Sequence, residues 1–181
     1  MKPTLISSFM KDKNVASVAR TSRKTVERVC RAINFDRDIV LVEYGPGSGA
    51  FTKYLLSRMS LDSKLIAIEK NKKLASALRD LNDERLEVIE DSAENMREVL
   101  KNRGVEYADY IVSGIPLSFL NPNQKARILF DSHRTLIKGG KLLIYQASKK
   151  HEGLIHEYFR NVNSYSQPVN IPPLFVFEAT K

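Results

Sequence analysis

The sequence contains one cysteine, no tryptophan and no apolar run long enough to cross a lipid bilayer. The single cysteine, Cys30, excludes an internal disulfide and is typical of a chain that works in a reducing cytoplasm. Because a membrane-spanning helix needs about 20 consecutive apolar residues, we expect no transmembrane segment. The first apolar stretch, residues 5–10, is short, contains two serines and is followed by lysines. It is a poor signal peptide, so we expect a cytoplasmic protein.

Side chains that bind metals in characteristic patterns are also scarce. The three histidines, His133, His151 and His156, have a spacing that matches no zinc pattern, and Cys30 is remote from them. We therefore predict no metal site. The sequence also lacks the Gly-x-Ser-x-Gly motif that would indicate a serine hydrolase.

What is present is enough for one folded domain. Apolar residues make up 43% and charged residues 28% of the 181 positions, which is ordinary for a soluble chain with a real core. The length suits a single domain, and no linker or repeat interrupts it. We predict an N-terminal helical extension over residues 1–34 and a globular body over residues 35–181.

The net charge of +8 is concentrated in that extension. Residues 1–34 hold eight basic and two acidic side chains, whereas the remaining 147 positions hold 21 basic and 19 acidic ones. A concentrated positive segment typically faces nucleic acid, a phospholipid surface or an acidic partner. The alternative is a solvated helix face that keeps the protein soluble.

Short β-rich runs alternate with helix-length stretches through the body. Each run has four to six residues, and the central runs are apolar on both faces, as in buried parallel strands. They cover residues 39–43, 64–69, 86–90, 110–113 and 141–145. The order predicts an α/β sheet with right-handed crossovers.

Apolar stripes at helical spacing predict the helices between these strands. The stripes are Phe51, Leu55 and Met59; Leu74, Ala77, Leu78 and Leu81; Met96, Val99 and Leu100; and Ala126, Leu129 and Phe130 continuing to Leu136 and Ile137. Gly139-Gly140 is expected to end the fourth helix. Residues 174–179 predict a last strand. Because the two final strands have no helix between them, we expect an antiparallel hairpin at one sheet edge.

A glycine-rich turn joins the first strand to the first helix. Gly45, Gly47 and Gly49 permit a tight turn and let a ligand approach the backbone closely. With Ala50 they also satisfy the dinucleotide pattern G-x-G-x-x-G/A, so the glycines alone do not identify the ligand. The alternative is a glycine-rich turn that binds no nucleotide.

Acidic residues at three successive strand ends favour a cationic ligand. Glu43 stands two residues before Gly45, where its carboxylate would oppose a pyrophosphate. S-adenosylmethionine (SAM) has no phosphate and carries an ammonium and a sulfonium. Glu69 is placed to bind ribose hydroxyls, and Asp91 with Ser92 is placed to meet an adenine amine. The three strand ends together predict SAM as the cofactor.

These segments resemble the first four motifs of the class I methyltransferases, at residues 43–49, 68–69, 91–92 and 113–116. The resemblance covers roughly residues 38–181. It implies an α/β, Rossmann-like fold with a seven-stranded, mostly parallel sheet, an antiparallel last strand and helices on both faces. The cofactor-binding residues that it implies are Glu43, Gly45, Gly47, Gly49, Glu69, Lys70, Asp91, Ser92 and Ser113. The residues that it implies beside the acceptor are Ser113, Gly114, Ile115, Pro116 and Leu117.

Within this class the chain is most similar to the bacterial phospholipid N-methyltransferases, at residues 45–52, 113–117 and 170–173. That similarity implies N-methylation of a phospholipid amine head group such as phosphatidylethanolamine. The chain also resembles the ribosomal RNA adenine dimethyltransferases at residues 43–49. Those enzymes carry an Asn-Leu-Pro-Tyr type segment whose amide and ring hold the adenine, but residues 114–117 here supply neither group. Phe119 could partly replace the ring.

The N-terminal segment has an apolar stripe with basic residues on its other surfaces. The stripe consists of Val15, Val18, Ser22, Val26, Val29 and Ile33. A helix of this kind can lie on an anionic bilayer or pack on the sheet over the cofactor. We expect packing for residues 26–33, with Cys30 in the core, and regard residues 5–13 as the better membrane candidate.

Three functions remain open at this stage. The first is a SAM-dependent phospholipid N-methyltransferase, peripheral on the inner face of the membrane. The second is an RNA methyltransferase of the adenine-dimethylating type, and the third is a SAM-binding module without enzymatic activity. Tyr145 and Gln146, at the end of the fifth strand, either line the acceptor pocket or serve packing.

Overall fold

The computed structural model describes residues 21–168 and 173–181. Its strands are β1 (Val40–Tyr44), β2 (Lys64–Ile68), β3 (Leu86–Ile89), β4 (Ala108–Ser113), β5 (Leu136–Gln146), β6 (Asn161–Gln167) and β7 (Leu174–Thr180). These described strands form one seven-stranded sheet in the order β3-β2-β1-β4-β5-β7-β6. The first five strands are parallel, and β7 runs antiparallel to both of its neighbours. The predicted sheet is thereby confirmed.

Helices cover both faces of the sheet. They are α1 (Arg23–Cys30), α2 (Ala50–Arg58), α3 (Lys72–Arg79), α4 (Met96–Lys101), α5 (Pro122–Thr135) and α6 (Glu152–Tyr158), with 3-10 turns at Ala93–Asn95 and Leu117–Phe119. No helix within the described ranges has the length and apolar character that crossing a membrane requires.

Two hydrophobic cores fill the space between helices and sheet. On β1, Leu41 belongs to the core shared with α1 and α2, whereas the next residue, Val42, belongs to the core shared with α4 and α5. Adjacent strand residues point to opposite faces, so a strand covered on both sides must be apolar throughout. This explains why the central runs lack polar alternation.

Helix α1 is part of the core. Ser22 caps its N-terminus by accepting a hydrogen bond from the Thr25 N–H. Val26, Val29 and Cys30 are buried against α2 and the sheet. The packing expected for residues 26–33 is therefore confirmed. The membrane candidate, residues 5–13, lies outside the described residues, as do Val15 and Val18.

The boundary between α5 and β5 differs from the prediction. The fourth apolar stripe predicts a helix continuing through residues 136–137 to a stop at Gly139-Gly140, but α5 ends at Thr135 and β5 begins at Leu136. Leu136 is buried and pairs with Ala108 of β4. The prediction was wrong because two apolar neighbours satisfy a helical stripe and a buried strand equally well.

Two other elements also depart from the stripes and runs. Strand β6 was not predicted, because its sequence, Asn-Val-Asn-Ser-Tyr-Ser-Gln, is largely polar. Such a composition suits its position at the edge of the sheet. It forms an antiparallel hairpin with β7 at the sheet edge. The expected hairpin instead joined residues 141–145 to residues 174–179, and that expectation was wrong because α6 and β6 lie between these strands. In α5 the buried face contains Ile128 and Leu129, whereas Phe130, which the stripe placed inside, is half exposed. The other predicted strands, β1 to β4, match within one or two residues at each end.

Replacing Val29 with alanine should lower the free energy of unfolding by about 2 kcal/mol, because two buried carbons are lost and a small cavity remains. The control is Lys24→Ala on the exposed face of the same helix, which should change it by less than about 0.5 kcal/mol. Urea unfolding measures both. Equal small losses would contradict the packing of α1 as part of the core.

Candidate active site

A cleft of about 460 Å³ opens where β1, β2, β3 and β4 end. The carboxyl ends of parallel strands meet at one edge of a sheet, and ligands of open α/β sheets bind in the crevice outside that edge. One wall carries the glycine loop with Glu69 and Asp91. The opposite wall carries Gly114–Pro116 and Phe119, with Gln124 from α5.

The glycine loop needs glycine at two positions for conformational and steric reasons. Gly45 has φ +60°, and a β-carbon there would lie 2.9 Å from Cγ1 of Ile115 across the cleft. Gly49 has φ +77° at the N-cap of α2, and a β-carbon there would lie 2.7 Å from Cδ2 of Leu78. Other residues adopt such φ values only with strain. Side chains at these two positions would therefore clash with Ile115 and Leu78, and at Gly45 the backbone itself lines the cleft.

Glu69 is buried at the end of β2 and ties the loop to the neighbouring turn. Its Oε2 accepts a hydrogen bond from the Gly47 N–H at 3.0 Å, and its Oε1 accepts one from the Asn71 N–H at 2.8 Å. Each carboxylate oxygen can accept a second hydrogen bond. The side chain is therefore held in place with one acceptor position on each oxygen left for adjacent hydroxyl groups of a ligand.

Asp91 is fixed in a comparable way at the end of β3. Its Oδ1 accepts hydrogen bonds from the Ser92 N–H at 2.6 Å and from Nδ2 of Asn95 at 2.8 Å. Both Asp91 and Ser92 line the cleft. The second carboxylate oxygen, Oδ2, remains as an acceptor for an amine.

Glu43 is the most unusual group at this edge of the sheet. Its side chain is buried, its Oε2 accepts a hydrogen bond of 2.7 Å from the Thr52 hydroxyl, and its Oε1 has no partner within the described ranges. Burial raises the pKa of Glu43 from 4.5 to about 8, the Thr52 hydrogen bond opposes the rise, and Glu69 adds to it. A buried oxygen without a partner costs free energy. A cationic ligand group would supply the missing partner.

Gln146, the last residue of β5, makes two hydrogen bonds beside the segment that is predicted to face the acceptor. Its Oε1 accepts from the Leu117 N–H at 3.1 Å, and its Nε2 donates to the Ser148 carbonyl at 2.8 Å. Residues 115–117 are Ile-Pro-Leu, and Phe119 beside them is 53% exposed. The wall is thus mostly apolar, with an aromatic ring at its mouth.

The structure brings most of the predicted site residues together. The predicted residues that line the cleft are Gly45, Gly47, Glu69, Lys70, Asp91, Ser92, Gly114, Ile115 and Pro116. The remaining four are buried and do not line it: Glu43, Gly49, Ser113 and Leu117.

Three polar residues that line the cleft were missed from the sequence: Asn71, Glu94 and Gln124. Asn71 carries a signal, because it caps α3 directly after the predicted strand end. Glu94 accepts hydrogen bonds from the Ser92 hydroxyl and from Nε2 of Gln124, 30 positions further along the chain. No local pattern indicates that contact.

The family model described as "Ribosomal RNA adenine dimethylase" matches residues 9–103, just over half of the chain. The chain belongs to the ribosomal RNA adenine dimethylase family. It is a class I methyltransferase, as the motifs predicted. The match includes the glycine loop and the acidic strand ends but stops before the acceptor segment at residues 113–117.

The curated relatives differ in how much of the chain they match. An ornithine lipid N-methyltransferase from Singulisphaera acidiphila is 28% identical over 163 residues, covering 88% of this chain and 84% of that protein. Ribosomal RNA small subunit methyltransferase H from Nitrosomonas europaea is also 28% identical, but over 102 residues, covering 56% of this chain and 32% of that protein. The lipid enzyme is therefore matched over the acceptor half as well.

Solved structures agree on the fold. The N-methyltransferase NodS from Bradyrhizobium japonicum, in complex with S-adenosyl-L-homocysteine (SAH), has a TM-score of 0.72 at 15% identity and covers 95% of this chain and 90% of its own. Precorrin-6y C5,15-methyltransferase from Geobacter metallireducens has a TM-score of 0.71 at 14% identity, covering 90% of each chain. At such identities the likeness establishes the fold.

The buried Glu43 carboxyl should make the stability of the ligand-free protein depend on pH. The carboxyl has a pKa of about 8 in the folded protein and an ordinary value of 4.5 in the unfolded chain. Between pH 4.5 and 8 the folded protein therefore keeps this proton, whereas the unfolded chain loses it. Relative to Glu43→Gln, the wild type should therefore lose stability as pH rises from about 4.5 to 8, by up to about 1.4 kcal/mol per pH unit. Below and above that window the difference should be constant.

Urea unfolding of both proteins across this pH range measures the effect. Thr52 can donate to the glutamine oxygen as it does to the carboxylate, so the variant keeps that hydrogen bond. A stability difference that stays flat from pH 4.5 to 8 would contradict a raised pKa at Glu43.

Proposed function

We propose that this protein transfers a methyl group from SAM to the nitrogen of an amine head group on a membrane lipid. The observation that carries the proposal is the wall of the cleft where Gly114, Ile115 and Pro116 leave an aliphatic surface beside the half-exposed Phe119. The near full-length similarity to an ornithine lipid N-methyltransferase supports it. Both phosphatidylethanolamine and ornithine lipid carry such an amine.

The donor side fits SAM at three charged or polar groups. Glu43 is buried behind the lining of the cleft, and its carboxylate would attract the ammonium from there. Glu69 would accept hydrogen bonds from the two ribose hydroxyls, and Asp91 would accept one from the adenine amine. The glycine loop would lie against the methionine portion. SAM contains no pyrophosphate, so the carboxylates at the three strand ends would not repel it as they would repel a dinucleotide.

SAM supplies a methyl group on a positively charged sulfur, so the acceptor needs a free lone pair and an in-line approach. The nitrogen lone pair forms the new N–C bond, the C–S bonding electrons go to sulfur, and the extra N–H proton leaves to water. The protein's part is alignment. The Gln146 hydrogen bond to the Leu117 N–H holds the acceptor segment in position for it.

A basic surface on the α1–α2 face supports work at a membrane. Exposed cations line the groove between the two helices; they are Arg23, Arg31, Lys53 and Arg58. Each basic side chain near an anionic bilayer contributes about 1 kcal/mol of binding free energy. We propose that this surface places the protein on the inner face of the membrane, together with residues 5–13.

Adenine N-methylation of ribosomal RNA is the second candidate. Membership of the ribosomal RNA adenine dimethylase family favours it, and the same cations could contact phosphates. The acceptor segment opposes it, because recognition of a base needs polar contacts to its edge and a stacking ring. Gly114 and Leu117 have neither group, and Phe119 alone supplies a ring.

Incubation with radiolabelled SAM should label lipid rather than RNA. The substrates are vesicles of phosphatidylethanolamine with phosphatidylglycerol, vesicles of ornithine lipid with phosphatidylglycerol, and ribosomal RNA. We expect label in at least one amine lipid, and more of it as the phosphatidylglycerol fraction rises. Label confined to RNA would establish the second candidate instead, and label in neither would disprove both.

Glu69→Ala should weaken SAH binding about 30-fold or more, because charge-assisted hydrogen bonds contribute about 1.5–3 kcal/mol each. The matched control is Glu90→Ala, an exposed carboxylate at the end of the adjacent strand β3 that does not line the cleft. It should bind SAH as the wild type does. Isothermal titration calorimetry measures both, and equal affinities would remove Glu69 from the donor site.

A further inference from the structure

The Tyr145 hydroxyl lies beside the cleft, and the proposed function gives it no role. Tyr145 is 5% exposed, and its ring stacks on Phe51 with centroids 4.3 Å apart. A β-carbon on Gly114 would lie 2.3 Å from the tyrosine oxygen. The hydroxyl therefore stands where the side chain of residue 114 would begin, and Gly114 lines the cleft.

Strand register explains how the hydroxyl arrives there. Leu143 pairs with Val112 of β4, and both belong to the core shared with α1 and α2. Two residues further along each strand, Tyr145 and the position of Gly114 face the same side. On β1, Glu43 faces that side too, and its charge acts on the Tyr145 hydroxyl. The phenol thus lies against Gly114, within electrostatic range of the Glu43 carboxyl.

The hydroxyl has no hydrogen-bond partner among residues 21–168 and 173–181. Buried tyrosine hydroxyls usually have one, as Tyr44 has in Ser132 and Tyr110 has in the Asn34 N–H. Within these ranges, the fully buried side-chain oxygen that has no hydrogen-bond partner is Oε1 of Glu43. The Tyr145 oxygen has no partner either but is not fully buried, so it is open to contact from outside the core. A polar atom placed in this way has a ligand as its natural partner.

The neighbouring residue, Gln146, and the position of β5 indicate which part of the ligand would contact the Tyr145 hydroxyl. Gln146 holds the acceptor segment by its hydrogen bond to the Leu117 N–H. The donor groups come from β1, β2 and β3, whereas Tyr145 comes from β5, on the other side of Gly114. Burial and the charge of Glu43 raise the pKa of Tyr145, so the group stays a neutral phenol. A neutral phenol oxygen can accept a hydrogen bond from an amine N–H.

We propose that the Tyr145 hydroxyl oxygen accepts a hydrogen bond from the acceptor amine and so directs the nitrogen lone pair towards the methyl group. This inference rests on the proposed amine-lipid function. It assigns an acceptor-binding residue that takes the place left by the absent side chain of Gly114.

The test is Tyr145→Phe, which keeps the ring stacked on Phe51. The matched control is Tyr110→Phe, which removes another buried hydroxyl at the opposite end of β4, where it accepts from the Asn34 N–H. Relative to wild type, Tyr145→Phe should lower kcat/KM for the labelled amine lipid about fivefold, the value of one neutral hydrogen bond. Its SAH affinity should stay within about twofold of the wild type. Tyr110→Phe should change neither quantity.

A second measurement does not depend on turnover. The SAH-loaded protein is bound to vesicles of the labelled amine lipid with phosphatidylglycerol, and to vesicles in which phosphatidylcholine replaces the amine lipid. The quaternary ammonium of phosphatidylcholine has no N–H to donate. Wild type and Tyr110→Phe should prefer the amine vesicles about fivefold, and Tyr145→Phe should lose that preference.

The outcomes separate the two proposals. Unchanged kcat/KM and an unchanged vesicle preference in Tyr145→Phe would overturn the inference while leaving the proposed function intact. A large loss of SAH affinity in this variant would also overturn it, because the hydroxyl would then belong to the donor site. If the wild type labels no lipid at all, the proposed function fails and the inference fails with it.

Discussion

The carboxyl group of Glu43 sets the conditions for the whole cleft. Glu43 is the penultimate residue of β1, and its buried carboxyl group has one hydrogen bond, from Thr52, for two oxygens. At neutral pH the ligand-free carboxyl holds a proton, because its pKa is about 8. A bound ammonium would favour the charged form instead, so binding would exchange a proton for a cation. In the proposed complex, the residues around Glu43 would position a cation, and the glycine loop would lie against it.

The two halves of the cleft have different constraints. The donor half is built from short local segments, each a strand with an acidic residue at or near its carboxyl end. Backbone N–H groups of Gly47 and Asn71 fix the side chain of Glu69. The acceptor half depends on contacts between distant segments, such as Gln146 with Leu117. The family model matches residues 9–103, which include the donor half of the cleft. The residues beside the proposed acceptor lie beyond that match.

The same division explains what could be predicted from the sequence. Strands β1 to β4 and the acidic residues near their ends were predictable, because hydrophobic runs and their flanking residues are local signals. The Glu94–Gln124 hydrogen bond and the position of the Tyr145 hydroxyl were not, because they depend on how β5 and α5 dock on β4. Polar β6 and the early start of β5 were missed for a third reason. Edge position and strand pairing override the composition of a short segment.

Helix α1 joins the core and the charged surface in one element. Val26 and Val29 on its inner face are buried with α2, while Arg23, Lys24 and Arg31 on its outer face remain exposed. The apolar face of a helix cannot serve the core and a bilayer at once. Any membrane contact of residues 21–34 must therefore be electrostatic, made by the cations. Because charges exposed to solvent are screened by salt, such contact would position the catalytic domain reversibly, leaving insertion into the bilayer to other segments.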